Sequence, residues 1–192
     1  MELYKHTVKF KCLVNHNNIH KFLTLCFEKP LVTTLKVTAF HSFYLEFVTN
    51  KKELNCHSID FYSSHITENF IYHTYSKGDE VLLTGYFAYS KTLREPFFKN
   101  GRTIKSICPV RKDCFDKDVL HHFINNNLFI SDYYVIEKSG IQIVKVNTKK
   151  HINNLFYLKV RGKVFNASAF NLLHFSSVGR SKSYGFGGVD IS

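Results

Sequence analysis

Short β-rich runs alternate with helical patterns in both halves of this 192-residue chain. Alternating polar and apolar residues predict strands, and apolar residues three and four positions apart predict helices. In the first half, strands are predicted at residues 2–12, 40–49, 54–63 and 80–90, and helices at 17–28 and, weakly, at 66–75. The first helix would be capped by Asn17 or Asn18, and residues 50–53 would turn a hairpin between the second and third strands. The order strand, helix, two strands, helix, strand is the ferredoxin-like plan.

The second half repeats this plan. Strands are predicted at residues 101–109, 132–138, 141–148, 154–166 and 187–191, and helices at 113–126 and 167–177. Asp113 or Asp116 would begin the first of these helices, and Ser139 with Gly140 would turn a hairpin. We therefore predict an α+β fold of two tandem ferredoxin-like (RRM-like) domains with antiparallel sheets, covering residues 1–91 and 92–192 and joined near residues 92–100.

The charge of the chain favours a polyanionic partner. Twenty-six Lys and Arg residues against fifteen Asp and Glu give a formal net charge of +11. Nineteen Phe and eleven Tyr residues, several beside lysines, could also stack on bases, although many must fill the cores. This combination favours a protein that binds nucleic acid over a soluble protein that is merely basic.

Other classes of protein are disfavoured. The five cysteines include no C-x-x-C pair, so neither a disulfide framework nor a zinc knuckle is predicted. No run approaches the ~20 apolar residues that span a bilayer, and we expect a cytoplasmic protein without membrane contact. His16 and His20 are spaced as two metal ligands on a helix could be, but no third ligand is indicated. We predict no metal and no cofactor.

Residues 176–189 form a glycine-rich segment suited to hold a polyanion. Gly179, Gly185, Gly187 and Gly188 permit positive φ and close approach of the backbone to a phosphate. Arg180 and Lys182 add positive charge, while Tyr184 and Phe186 offer rings for base stacking. Neither a P-loop nor a dinucleotide fingerprint fits the spacing of these glycines. The alternative is a simple glycine-rich turn before the last strand.

The end of the chain resembles the CRISPR repeat-processing endoribonucleases, in particular the CasE-like proteins of type I-E systems. The resemblance rests on a strand at 160–166, a helix at 167–177 and the glycine loop at 178–187, although Ser177 stands where the family has a glycine. Residues 92–105 resemble the basic segment that opens the family's second domain, without its Ala-Asn-Pro triplet. The resemblance implies RNA-binding roles for Lys91, Arg94, Lys99, Arg102, Lys105, Gly179, Arg180, Lys182, Tyr184, Gly185 and Gly187.

The same resemblance implies a catalytic histidine. Members carry Tyr-x-x-His-[RQ] in the first helix, and residues 17–21, Asn-Asn-Ile-His-Lys, match it with Asn17 in place of the tyrosine. His20 would be the general acid or base of RNA self-cleavage. Lys21, or a basic residue of the glycine loop, would stabilise the extra charge on phosphorus. An isolated helical histidine is otherwise more often structural.

The resemblance therefore predicts a metal-independent endoribonuclease. It would bind the repeat hairpin of CRISPR precursor RNA, cut at the 3′ base by attack of the 2′-hydroxyl, and stay bound as a subunit of a type I-like surveillance complex. The alternative is a catalytically inactive subunit that caps the guide RNA hairpin, a possibility that Asn17 keeps open. A third reading is a basic structural protein that binds without sequence preference.

Overall fold

The structure is a computed structural model that describes residues 2–13, 15–27, 35–41, 43–54, 62–99, 102–113, 116–146, 151–179 and 186–192. It contains two four-stranded antiparallel sheets. When the strands of each sheet are numbered in chain order, both sheets have the order 2-3-1-4. The predicted α+β fold of tandem ferredoxin-like domains is confirmed.

The first sheet is built from the first third of the chain. Its elements are β1 (Tyr4–Phe10), α1 (His16–Phe27), β2 (Leu35–His41), β3 (Tyr44–Thr49) and β4 (Tyr62–Asn69). The strands lie in the order β2-β3-β1-β4. The apolar residues of α1 pack on this sheet because they recur on one helical face, with Ile19, Phe22 and Leu23 fully buried against Val8 and Phe47.

Three expectations for this sheet are wrong. Residues 40–49 are not one strand, since β2 ends at His41 and β3 begins at Tyr44. The turn expected at 50–53 does not join two neighbouring strands. The next described strand, β4, pairs with β1 along the edge that faces away from β3. The helix expected at 66–75 does not form: residues 66–69 belong to β4, held by its hydrogen bonds to β1, and residues 70–75 are irregular. Residues 55–61 of the strand expected at 54–63 lie outside the described residues.

The second sheet and its helices use the rest of the chain. The elements are β5 (Glu80–Phe87), β6 (Ser90–Lys99), β7 (Arg102–Asp113), α2 (Lys117–Phe123), β8 (Ile130–Val146), β9 (His151–Val164), α3 (Ala167–Asn171) and β10 (Asp190–Ile191). The sheet order is β10-β5-β9-β8, and β6 and β7 form a separate two-stranded ribbon. A π-helical turn, Ile124–Leu128, continues α2, and a 3₁₀ turn, Leu172–His174, continues α3.

Long-range pairing corrects four expectations here. The strand expected to complete the first sheet, β5, pairs with β9, so the second sheet begins at Glu80 rather than after residue 91. Residues 92–99 of the expected junction at 92–100 belong to β6 of the ribbon, and residue 100 lies outside the described residues. No turn forms at Ser139 and Gly140, because β9 pairs with β8 on both sides of them. The helix expected from residue 113 begins at Lys117.

Local side-chain hydrogen bonds set two helix starts in this half. The Asp116 carboxylate accepts hydrogen bonds from the backbone N–H groups of Asp118 and Val119, at 3.1 and 3.5 Å, whereas Asp113 ends β7. Asn166 caps α3 in the same way, through a 3.1 Å bond from the Ala169 N–H. Short polar side chains stabilise these positions because the first turn of a helix has unpaired N–H donors.

The two sheets meet around the segment that follows α3. Phe175 packs on Leu3 and Val48 of the first sheet. The backbone N–H of Ser177 donates to the Leu35 carbonyl at 3.3 Å, and Lys36 Nζ donates to the Val189 carbonyl. The C-terminal segment is thus attached to β2, the strand that follows α1.

Candidate functional site

Helix α1 carries the predicted catalytic residues. The cap is Asn15 rather than Asn17 or Asn18: its side-chain oxygen accepts from the N–H groups of Asn17 and Asn18 at 2.9 and 3.0 Å. The Asn18 side-chain oxygen accepts from the Asn15 N–H in return, at 3.1 Å. This reciprocal arrangement is a capping box, and it fixes where the helix begins.

His20 lies one turn into α1, beside the buried face. Its neighbour Ile19 is fully buried, His20 is partly exposed with its Nδ1 shielded from solvent, and Lys21 is exposed. A partly exposed imidazole can exchange a proton with a ligand at the surface, and an adjacent ammonium group can stabilise negative charge. Asn17, at the position of the family tyrosine, is exposed. His16 is the first residue of the helix.

The base of the glycine-rich segment is closed by backbone contacts. The Val178 N–H donates to the Gly187 carbonyl at 2.8 Å, and the Gly187 N–H donates to the Tyr86 carbonyl at the end of β5, at 3.0 Å. Gly179 and Gly187 both have φ of 82°, as the sequence predicted, whereas Gly188 does not have positive φ. A Cβ at Gly187 would lie 1.9 Å from the Val178 oxygen, so the closure requires glycine there.

The tip of this segment lies outside the described residues, and with it four predicted RNA-binding residues: Arg180, Lys182, Tyr184 and Gly185. Phe186 was expected to offer a ring to a base. Instead it is 6% exposed and packs with Ala88 and Leu155, because the closed base of the loop draws it inward. Phe186 therefore supports the loop and does not bind a base.

The remaining predicted RNA-binding residues lie on the β6–β7 ribbon. Lys91 stands near its base, and its ammonium group donates to His122 Nδ1 at 3.0 Å. Arg94 is exposed. Lys99 and Arg102 are paired across the far end of the ribbon, and Lys105 lies where the β6–β7 register shifts. The structure thus brings these five residues, which are spread over fifteen positions of sequence, onto one two-stranded element.

Sequence reasoning missed a pair of basic groups buried between the sheets. Lys36 is 5% exposed, and burial lowers its pKa to about 8, while Asp190 acts in the opposite direction. His174 is 8% exposed; burial and then the nearby Lys36 lower its pKa to about 4. Its ring stacks on that of Tyr75, with centroids 5.8 Å apart. Nothing in the sequence marks Lys36, since a lysine on a strand usually faces solvent.

Within the described ranges, no three His, Cys, Asp or Glu side chains are grouped as a metal site would require. Among the helices that the structure describes, none has the length and apolar character needed to span a membrane.

Comparison with known proteins identifies the fold. No protein-family model matches the chain, and no curated protein matches its sequence. Among solved structures, it is similar to the CRISPR-associated protein Cas6e from Escherichia coli K-12, with a TM-score of 0.59, 15% identity, and 100% of this chain and 99% of that chain covered.

Two further structures cover nearly the same length. One is Thermus thermophilus Cse3 bound to an RNA representing a pre-cleavage complex, with a TM-score of 0.58, 10% identity and full coverage of both chains. The other is a chain of a CRISPR RNA-guided surveillance complex, with a TM-score of 0.53, 11% identity and 98% coverage of each chain. The chain therefore has the Cas6e/Cse3 fold over its full length, which confirms the resemblance at the level of fold.

Proposed function

We propose that this protein is an endoribonuclease that processes CRISPR precursor RNA. The observation that carries the proposal is the likeness of the whole chain, both domains included, to RNA-bound Cse3 and to Cas6e. The glycine-rich segment is closed at its base and attached to β2, and its sequence of glycines and basic residues suits a phosphate.

The chemistry needs few protein groups. The substrate supplies its own nucleophile, the 2′-hydroxyl before the scissile phosphate, which attacks phosphorus as the bond to the 5′-oxygen breaks. We assign to His20 the transfer of a proton, from the 2′-hydroxyl or to the leaving 5′-oxygen, and to Lys21 the stabilisation of negative charge on the phosphoryl oxygens. The product ends in a 2′,3′-cyclic phosphate, and no metal ion enters the reaction.

The β6–β7 ribbon would bind the stem of the repeat hairpin. An A-form duplex is gripped through its phosphates and shape more than through base edges, and the ribbon presents basic residues at its base, along its length and at its end. The cut would fall at the 3′ base of the stem. By analogy with the similar chain of a surveillance complex, the protein would remain on the product as a subunit of such a complex.

A second function is favoured by one residue. Asn17 stands on α1 where the family motif has a tyrosine, and it is exposed at the start of the helix. If catalysis needed that phenol, the protein would only cap the guide RNA hairpin.

Cleavage of a repeat hairpin in EDTA tests the proposal. We expect one discrete cut, with a 2′,3′-cyclic end, that a 2′-deoxy substitution before the scissile phosphate abolishes while binding persists. Cleavage of the deoxy substrate would mean that water attacks, which would contradict the mechanism. Binding of both RNAs without any cut would instead establish the capping function.

A further inference from the structure

At the base of the β6–β7 ribbon, Lys91 contacts a side chain to which the function above gives no role. His122 near the end of α2 and Asn126 in the π-helical turn lie one helical turn apart; His122 approaches Lys91 of β6, and Asn126 approaches His122. Lys91 Nζ is 3.0 Å from His122 Nδ1, and Asn126 Nδ2 is 3.1 Å from the same nitrogen. π-Helical turns are frequent at functional sites.

The partners determine where the proton of His122 lies. An ammonium group can only donate, so His122 Nδ1 must accept, and a neutral imidazole then carries its proton on Nε2. His122 therefore offers an N–H donor, and Lys91 keeps further N–H groups beyond the one it shares. The two N–H groups of the Asn126 amide are used within the group, on His122 Nδ1 and on the His122 carbonyl oxygen, each at 3.1 Å.

The neighbouring charges favour an anion. Burial lowers the pKa of His122, and the nearby Lys91 and His121 lower it further. Lys91 also faces Lys112 across the ribbon. Two carboxylates lie close to His122 in the sequence. The Asp116 carboxylate forms an ion pair with Lys112 at 3.2 Å, and Asp118, one helical turn before His122, is exposed.

A second pair of contacts extends the donors along the same helix. Asn125 Nδ2 is 3.0 Å from His121 Nε2, and the Tyr133 hydroxyl is 2.7 Å from His121 Nδ1. Since Nε2 accepts from the amide, Nδ1 donates to the Tyr133 oxygen, which leaves the hydroxyl proton of Tyr133 free to bind an acceptor.

We propose that Lys91 and His122, with Asn126 holding the His122 ring in place, form a phosphate-binding site that holds the RNA backbone where it reaches the base of the ribbon. The inference rests on the proposed function, because it assigns a further contact to the same RNA. His122 has a double role: its Nε2–H binds the phosphate, and its Nδ1 positions the Lys91 ammonium.

Binding assays with paired variants test this site. The probe is the repeat hairpin with a 2′-deoxy residue at the cut, so that binding is measured without cleavage. We expect His122→Phe, which keeps the ring and removes both nitrogens, to weaken binding about three- to tenfold with an unchanged dependence on salt. Lys91→Met should weaken binding and also reduce the slope of log affinity against log salt by about 0.7–0.9, as loss of one phosphate contact does.

The double variant should lose less than the product of the two single losses, because His122 acts in part through Lys91. The matched controls are His73→Phe and Lys77→Met, which change an exposed histidine and an exposed lysine elsewhere in the chain. The proposal is overturned if His122→Phe binds like the wild type, or if the controls lose as much affinity. Asn126→Ala, at an exposed position, provides a second variant should His122→Phe fold poorly.

The outcome separates this site from the proposed function. A wild-type protein that cuts the ribose substrate while His122→Phe binds normally keeps the function and loses the site. Binding that depends on His122 without any cleavage keeps the site and loses the nuclease. Absence of RNA binding by the wild type overturns both.

Discussion

A single imidazole suffices for the chemistry proposed at α1, because RNA carries its own nucleophile. The sequence predicted His20 from its place in a short motif, and the fold puts it on a helix whose buried face is fixed by Ile19, Phe22 and Leu23. The backbone at His20 is therefore held by the core, while the ring keeps partial contact with solvent. Its catalytic role stays a prediction.

Replacement of His20 by Ala should lower the single-turnover cleavage rate at saturating protein by at least about 10², the contribution of a general acid or base. Affinity for the hairpin should stay within a few fold. His16→Ala, at the first residue of the same helix, is the matched control and should have a smaller effect. Equal losses in the two variants would argue for a shared metal instead.

At the scale of elements, the glycine-rich segment is fixed at its two ends. Val178 and Gly187 hydrogen bond to each other, and Gly179 has no room for a side chain because a Cβ would lie 2.8 Å from the Ala88 oxygen. These contacts hold the ends together whatever the tip binds.

Gly187→Ala should weaken RNA binding and destabilise the fold by about 1–3 kcal/mol, because alanine is strained at positive φ and its Cβ would clash with the Val178 carbonyl. The salt dependence of binding should hardly change, since no charge is lost. Gly140→Ala is the matched control: no atom lies within 4 Å of its added Cβ. Denaturant unfolding and RNA titration measure both effects, and wild-type values for Gly187→Ala would disprove the requirement.

At the scale of the whole molecule, the interface between the sheets contains groups that resist protonation. Burial lowers the pKa of His174 to about 4. The Lys36 ammonium adds to the effect on His174. Attachment of the C-terminal segment to β2 is thus sensitive to acid, and with it the position of the glycine-rich segment.

The sign of the pH dependence follows from these directions. Because the folded pKa of His174 lies below the unfolded value of about 6.5, its contribution to stability is complete above about pH 6.5 and is lost as the pH falls toward 4. At pH 5 this loss should be about 2 kcal/mol. Lys36 also makes stability rise with pH, but at higher pH. Its pKa is lowered from 10.5 to about 8, so its effect falls between about pH 8 and 10.5.

The variant His174→Phe should therefore lose less stability than the wild type between pH 7 and pH 5, whatever its stability at pH 7. Phenylalanine can keep the aromatic contacts with Tyr72 and Tyr75 but has no group to protonate. Denaturant unfolding at the two pH values measures the difference. An identical loss in both proteins would show that other groups cause the acid sensitivity.

The sequence by itself determined the features that arise within a few residues. Helix α1 follows from the spacing of Ile19, Phe22 and Leu23, β1 from its alternation, and the cap of α2 was one of two aspartates considered. Gly179 and Gly187 were predicted to allow positive φ and have it. Each of these depends on local sterics and hydrogen bonds, which the residues carry with them.

Only the tertiary structure decided which distant segments meet. β5 joins the second sheet because β9 and β10 bond to its two edges, and β8 runs straight through Ser139 and Gly140 because β9 pairs along it. The burial of Lys36 and the contact between Lys91 and His122 arise in the same way, between segments far apart in the chain. Strand pairing and burial depend on the partner that packs against a segment, and the segment's own sequence does not specify that partner.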